Sequence, residues 1–134
     1  QEARTVYLET SGILPQQLSE VIDAVDIVAM DFKLPSSTRL PAYWREHEAF
    51  LKIAKDKDTF IKTVISSDTT REDVITAARL AAEVSPEILF VLQPNYFDRK
   101  DGAAEKCVDY QKECLKYLPN AKVMSQMHKE WKVR

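Results

Sequence analysis

The chain has 134 residues, 45% of them hydrophobic and 30% charged, and this length and composition are those of one globular domain. Its formal net charge of −2 gives no reason to expect a nucleic acid or an anionic membrane as a partner. No apolar run approaches the roughly 20 residues of a membrane span, and the first residues do not resemble a signal peptide. We therefore expect a cytoplasmic protein in which residues 1–134 form a single domain.

Strand-like and helix-like segments alternate along the chain. Apolar and β-branched runs predict five strands, at residues 4–9, 26–32, 59–66, 88–92 and 121–125. Apolar residues at helical spacing predict four helices between them, at residues 15–24, 43–55, 71–84 and 103–118. Thr70 is the predicted N-cap of the third helix, with Asp73 in the position of a capping-box acid. Residues 34–41 hold two prolines and three hydroxyl residues and predict a loop.

This order of segments predicts an α/β fold built on a parallel sheet with right-handed crossovers. Residues 27–30 are apolar throughout, a pattern that suits a strand covered on both sides, as in parallel sheets. In such a sheet the carboxyl ends of all strands lie on one side, so polar residues far apart in sequence converge there.

Polar clusters follow four of the predicted strands, at residues 9–12, 31–37, 93–95 and 126–129. The first cluster is either a plain turn or a pocket wall that binds sugar hydroxyls or a cation. In the second, Asp31 and Lys33 point to the same side of a strand and form either a structural ion pair or a ligand site, with Ser36 and Ser37 as further donors. Gln93 either caps backbone groups or binds a ligand.

The histidines, cysteines and glycines limit the kinds of site that the chain can form. His128 is the better candidate for a ligand contact, because His47 lies on the apolar stripe of a helix and is expected to pack. Cys107 and Cys114 lie seven residues apart, about 10 Å along one helix, which fits neither a disulfide nor a metal site. We expect two partly buried thiols in a reducing cytoplasm. The chain has two glycines, too few for a glycine-rich phosphate-binding loop, and its sequence shows no pairing of a nucleophile with a general base.

The order of the motifs resembles that of the 7-carboxy-7-deazaguanine synthases, and the resemblance spans nearly the whole chain. These are radical S-adenosylmethionine enzymes of the pathway to 7-deazaguanines such as queuosine. The motifs that carry the resemblance are Leu8-Glu9-Thr10-Ser11-Gly12, Met30-Asp31-Phe32-Lys33-Leu34-Pro35-Ser36-Ser37, Trp44 with His47 and Phe50-Leu51, Leu92-Gln93-Pro94, and Gln126-Met127-His128-Lys129. The acidic strand end with the later Asp-x-Lys is shared with the glycyl-radical activating enzymes.

The resemblance implies a partial (β/α)6 TIM-like barrel and a lyase reaction. A [4Fe–4S] cluster on three cysteines, usually spaced CxxxCxxC, binds S-adenosylmethionine at its open iron. The family's reaction contracts the ring of 6-carboxytetrahydropterin with loss of ammonia, assisted by Mg²⁺, and its hard chemistry belongs to the cofactor. The implied partner is therefore a small pterin substrate.

The resemblance also assigns residues. Glu9, Thr10 and Asp31 match positions that line the S-adenosylmethionine site, and Lys33, Ser36 and Gln93 match further contacts around that cofactor. Gln126 and His128 match the end of the chain that closes over the pterin. The assignment identifies no catalytic residue and no metal ligand in this chain.

Two departures from the family limit what this chain is expected to do. It has neither the cysteine triplet nor the Gly-Gly-Glu strand end that follows in the family, so it looks like a C-terminal portion and is expected to be catalytically inert. Met124-Ser125 stand where the family tends to have a small apolar residue or proline before Gln-x-His.

Two alternatives remain open: a fragment of a glycyl-radical activating enzyme, and a non-catalytic α/β module that binds a small ligand or a partner. An unpaired edge on the first strand predicts a homodimer.

Overall fold

The structure, a computed structural model, describes residues 5–39, 41–95 and 102–124, and its strands and helices alternate as predicted. The strands are β1 (Tyr7–Thr10), β2 (Ile27–Phe32), β3 (Asp58–Ile65), β4 (Leu89–Pro94) and β5 (Ala121–Val123). The helices are α1 (Pro15–Val21), α2 (Pro35–Thr38), α3 (Trp44–Ala54), α4 (Arg71–Val84) and α5 (Ala103–Cys114), and a 3₁₀ turn, Ile22–Ala24, follows α1. None of these helices is long and apolar enough to cross a membrane.

The five strands form one parallel sheet in the order β1-β2-β3-β4-β5. Each strand is added on the same side of the one before it, so right-handed crossovers place every connecting helix on the same face. Accordingly α1 packs on α3, α3 on α4, and α4 on α5. The predicted α/β class with a parallel sheet is confirmed, and the singly wound order is consistent with a partial (β/α) barrel.

The prediction that the second strand is covered on both sides is wrong for the part of the chain that the structure describes. Val28, Met30 and Phe32 are fully buried under the helices, while Ile27, Ala29 and Asp31 alternate with them on the opposite face and are half-buried. A run of apolar residues indicates that neither face of a strand is fully solvated, but it does not predict how completely each face is covered. The described helices pack on the first face, and we call the second face the open face.

The hydrophobic core fills the space between the sheet and the helices. Phe32 and Phe90 meet edge to face, with ring centroids 6.3 Å apart, and Phe50 of α3 joins the same cluster. Cys107 and Cys114 of α5 are fully buried in this core as free thiols. The prediction of free thiols is confirmed, but both are fully buried rather than partly buried.

Residues 34–41 are not wholly a loop as predicted, because Pro35 begins the short helix α2. Proline is favourable at the first helical position, since its missing N–H would have no partner there. The helix ends at Arg39, whose φ of 59° is left-handed and whose N–H donates to Pro35 O at 2.9 Å. Pro35 therefore marks the start of a helix within a segment whose composition predicts a loop.

The predicted N-cap of α4 is confirmed, but the acid beside it bonds elsewhere. Thr70 Oγ1 accepts a hydrogen bond from Asp73 N at 3.3 Å. The Asp73 carboxylate does not return to Thr70 N; it accepts from Ser36 N at 2.8 Å, and Thr70 N donates to Ser36 Oγ at 3.0 Å. Ser36 thus completes the capping box from α2, and this fixes the β2–α3 connection onto the start of α4.

Candidate functional site

A cavity of about 610 Å³ lies on the open face near the carboxyl ends of the strands. Five of the six residues predicted to contact the cofactor line it: Glu9, Thr10, Asp31, Lys33 and Gln93. These residues come from three different strand ends. Their convergence is the arrangement that a parallel sheet predicts for polar residues after its strands.

The strand register explains why these side chains share one face. Glu9 pairs with Ala29 on β2, Asp31 pairs with Lys62 on β3, and Val64, two residues further along β3, pairs with Gln93. Paired residues of parallel strands point to the same side, and residues two apart in one strand do so as well. Glu9, Asp31 and Gln93 therefore occupy three successive levels of the open face.

Asp31 and Lys33 form an ion pair, in which Lys33 Nζ lies 2.9 Å from Asp31 Oδ2. The side chain of Lys33 is 32% exposed and that of Asp31 25%, so the pair lies at the wall of the cavity and reaches solvent. The prediction that the two side chains lie next to each other is confirmed. Because the pair is internally neutral, neither charge needs a ligand in order to be tolerated there.

His47 of α3 connects the ends of β1 and β2 from beneath the cavity. Its Nε2 accepts a hydrogen bond from Lys33 N at 2.9 Å, and its Nδ1 donates to Gly12 O, also at 2.9 Å. The ring stacks on Phe32 with centroids 4.6 Å apart and is fully buried. Burial lowers the pKa of His47, which keeps the neutral form that both hydrogen bonds require. The packing role predicted for His47 is confirmed.

Gly12 allows β1 to turn away above His47. Its φ of +69° is left-handed, and a Cβ built there would lie 2.8 Å from two atoms of the Met30 side chain and 3.3 Å from His47 Nδ1. A residue with a side chain would be strained in conformation and would also clash. Beside it, Thr10 Oγ1 accepts from Gly12 N at 3.1 Å, so that hydroxyl is part of the turn.

Ser36 does not line the 610 Å³ cavity, because its hydroxyl accepts from Thr70 N at the start of α4. Its assignment as a cofactor contact stays a prediction. Ser37 hydrogen-bonds Thr69 and lines a smaller neighbouring cavity of about 230 Å³, which shares Asp31 and Lys33 with the first. Gln126 and His128, the predicted substrate contacts, lie outside the described residues.

Lys62 is the cavity residue that sequence reasoning missed. It lies in the middle of β3, and the cavity wall includes it together with Phe60. A lysine within a strand usually marks a solvated face, so the sequence alone did not indicate that Lys62 lines a cavity. The signal that could have found it is its register: it is the cross-strand neighbour of Asp31.

The described residues hold no group of three or more His, Cys, Asp or Glu side chains placed to bind a metal ion. The sequence contains two cysteines, and burial raises the pKa of each thiol to about 12. Thiolates are the form that binds iron. The cysteines of this chain therefore do not fit a [4Fe–4S] cluster.

Comparison with known proteins finds one informative relative. The chain is 33% identical over 126 residues to the 7-carboxy-7-deazaguanine synthase of Geobacter sulfurreducens. The matched region is 92% of this chain and 50% of that relative, so the chain spans about half its length. No family model matches the chain, and no solved structure matches it significantly. The similarity confirms the resemblance seen in the motifs, and the chain fits a C-terminal portion of the 7-carboxy-7-deazaguanine synthase family.

Proposed function

We propose that this chain is the C-terminal part of a 7-carboxy-7-deazaguanine synthase, a cytoplasmic enzyme that contracts the ring of 6-carboxytetrahydropterin with loss of ammonia. In this proposal the open face forms one wall of the site that holds S-adenosylmethionine and the pterin. The observation that carries it is the convergence of Glu9, Thr10, Asp31, Lys33 and Gln93 on one 610 Å³ cavity. The similarity to the Geobacter synthase supports the same function.

The side chains around the cavity fit S-adenosylmethionine. That molecule carries a sulfonium, an ammonium, a carboxylate and two ribose hydroxyls, so it needs hydrogen-bond acceptors and donors together. Glu9 and Asp31 supply carboxylate acceptors, while Lys33 and Gln93 supply donors. When bound beside a reduced cluster, S-adenosylmethionine supplies the radical chemistry of the family.

The two cysteines of this chain do not fit the cluster, so no step of the reaction is assigned to them. In our proposal the cluster ligands belong to the half of the relative that this chain does not match, and the 134 residues alone are catalytically inert. In this proposal the described part of the chain positions and encloses S-adenosylmethionine and the pterin. His47 holds the backbone of Lys33 and Gly12 in place, and Phe60 and Ala29 supply apolar wall on the open face.

Two predicted roles extend this proposal. We assign Gln126 and His128 to closure over the pterin, on the strength of their match to the end of the family's chain. We also retain the homodimer for the 134-residue chain by itself: β1 lies at the edge of the sheet formed by the described strands, and Tyr7 on β1 is 51% exposed.

A chimaera tests the proposed function. In it, this chain replaces the matching half of the Geobacter synthase, and the purified, anaerobically reconstituted protein is given 6-carboxytetrahydropterin and S-adenosylmethionine. We expect 7-carboxy-7-deazaguanine and ammonia as products, and a large loss of turnover in the same chimaera with Asp31→Asn. A chimaera that assembles the cluster and cleaves S-adenosylmethionine without consuming the pterin would contradict the proposal. Activation of a glycyl-radical partner would favour the activase instead.

A further inference from the structure

We propose that Lys62 is the anion anchor of the cavity and binds a carboxylate group of the pterin substrate. This inference rests on the proposed function, because it names the contact by which that same site would select a carboxylated pterin. Neither the motifs nor the similarity to the Geobacter synthase assigns any role to Lys62.

The position of Lys62 is set by the sheet. Lys62 lies between Asp31 of β2 and Val91 of β4 in the strand register, with Phe60 before it on the same face and Val64 after it. Strand alternation sends Ile61 and Thr63 into the core and directs Lys62 to the cavity. The Lys62 side chain is half-buried, and its Cα is held by two neighbouring strands.

The ion pairing in the cavity wall leaves the ammonium group of Lys62 without a partner among the described residues. The wall carries two carboxylates, Glu9 and Asp31, and two ammonium groups, Lys33 and Lys62. Asp31 and Lys33 neutralise each other at 2.9 Å. Within the described residues Glu9 and Lys62 form no ion pair or side-chain hydrogen bond, so one charge of each sign faces the cavity unpaired. A half-buried ammonium is more favourable when an anion meets it.

The arrangement of these unpaired charges favours a carboxylate over a phosphate. Glu9 and Lys62 are separated by two strand spacings and two residues along the strands, so their Cα atoms are about 12 Å apart. A ligand that spans them presents a single negative charge to Lys62 and hydrogen-bond donors to Glu9. A phosphate dianion would bring two negative charges to one free ammonium group, whereas a carboxylated heterocycle with ring N–H groups matches both ends.

Titration of the 134-residue chain with two stable pterins tests this inference. The probes are 6-carboxypterin and pterin, which differ only by the carboxylate, and the readout is the ratio of their dissociation constants. We expect the wild-type chain to prefer 6-carboxypterin by about tenfold, as a charge-assisted contact would give. Lys62→Met should bring the ratio close to one, and Lys62→Arg should keep most of the preference.

Lys122→Met is the matched control. Lys122 follows Lys62 and Val91 in the same register row, but it is exposed and does not line the cavity, so this variant should keep the wild-type ratio. Continued binding of plain pterin shows that the Lys62→Met chain is folded. A full preference for 6-carboxypterin in Lys62→Met would overturn the inference and leave the proposed function standing. A wild-type chain that binds 6-carboxypterin no more tightly than pterin would also overturn the inference, whereas the proposed function stands or falls with the chimaera.

Discussion

The imidazole of His47 accepts a hydrogen bond from the backbone N–H of Lys33 at 2.9 Å, and its other nitrogen donates to Gly12 O. One buried side chain on α3 thereby fixes the ends of two strands, each of which carries a carboxylate of the candidate site. Protonation of the ring would remove the acceptor at Nε2 and leave two donors facing one donor and one acceptor.

Protonation of His47 should make the stability of the chain depend on pH. Burial lowers the pKa of His47 in the folded chain below its unfolded value of about 6.5. Stability should therefore be complete above about pH 6.5 and fall as the pH drops from there towards the folded-state pKa, because only the unfolded chain takes up the proton in that range. Urea unfolding at about pH 7.5 and about pH 5.5 measures the difference.

The control for this prediction is His47→Gln, which should unfold about 2 kcal/mol more easily near neutral pH because it loses the stacking and at least one hydrogen bond. It retains His128, so a smaller pH dependence in this variant assigns the effect to His47. Equal pH dependence in both proteins would show that other groups cause it.

Gly12→Ala should lower the free energy of unfolding by about 2–4 kcal/mol. A residue with a Cβ is strained in the left-handed conformation of Gly12, and the new Cβ would also clash with the Met30 side chain. Gly102→Ala is the matched substitution, since φ there is also positive at 89° but the nearest atom to a Cβ is Glu105 Oε1 at 3.8 Å. We expect Gly102→Ala to cost about 1 kcal/mol. Equal losses in the two variants would mean that space around Gly12 does not matter.

Thr63→Val should stabilise the chain by about 1 kcal/mol. The Thr63 hydroxyl is fully buried and has no hydrogen-bond partner in the described structure, so an isosteric methyl group removes an uncompensated desolvation cost. Thr59→Val on the same strand should have the opposite effect, because Thr59 Oγ1 donates to Ala54 O at 2.6 Å. Thermal unfolding of both variants measures the contrast, and destabilisation by Thr63→Val would show that its hydroxyl is bonded.

Ser36→Ala should destabilise the chain by about 1 kcal/mol, since Thr70 N loses its acceptor at the start of α4. Titration of the chimaera carrying Ser36→Ala with S-adenosylmethionine tests the separate prediction that Ser36 contacts the cofactor. A loss of affinity with the folded fraction unchanged would support that contact. A loss of stability alone would leave Ser36 as a structural residue.

Local patterns predicted much of this fold and part of its site. The strands, the cap at Thr70 and the adjacency of Asp31 and Lys33 follow from periodicity and spacing within a few residues, and all three are confirmed. The contact of Ser36 with Asp73 joins residues 37 positions apart, and no local pattern encodes it. Lys62 was missed for a related reason, since its place beside Asp31 depends on the register between β2 and β3.

The central claim is that the cavity on the open face is one wall of an S-adenosylmethionine site, and calorimetric titration of the cluster-reconstituted chimaera with S-adenosylmethionine tests it most directly. The substitutions below are made in that chimaera, and wild type means the chimaera without them. Asp31→Asn changes a carboxylate in that wall, and Asp68→Asn changes one in the exposed Arg39–Asp68 ion pair outside it. We expect wild type and Asp68→Asn to bind with the same affinity and Asp31→Asn to bind about tenfold more weakly. Equal affinity in all three proteins, or no binding by the wild type, would contradict the claim.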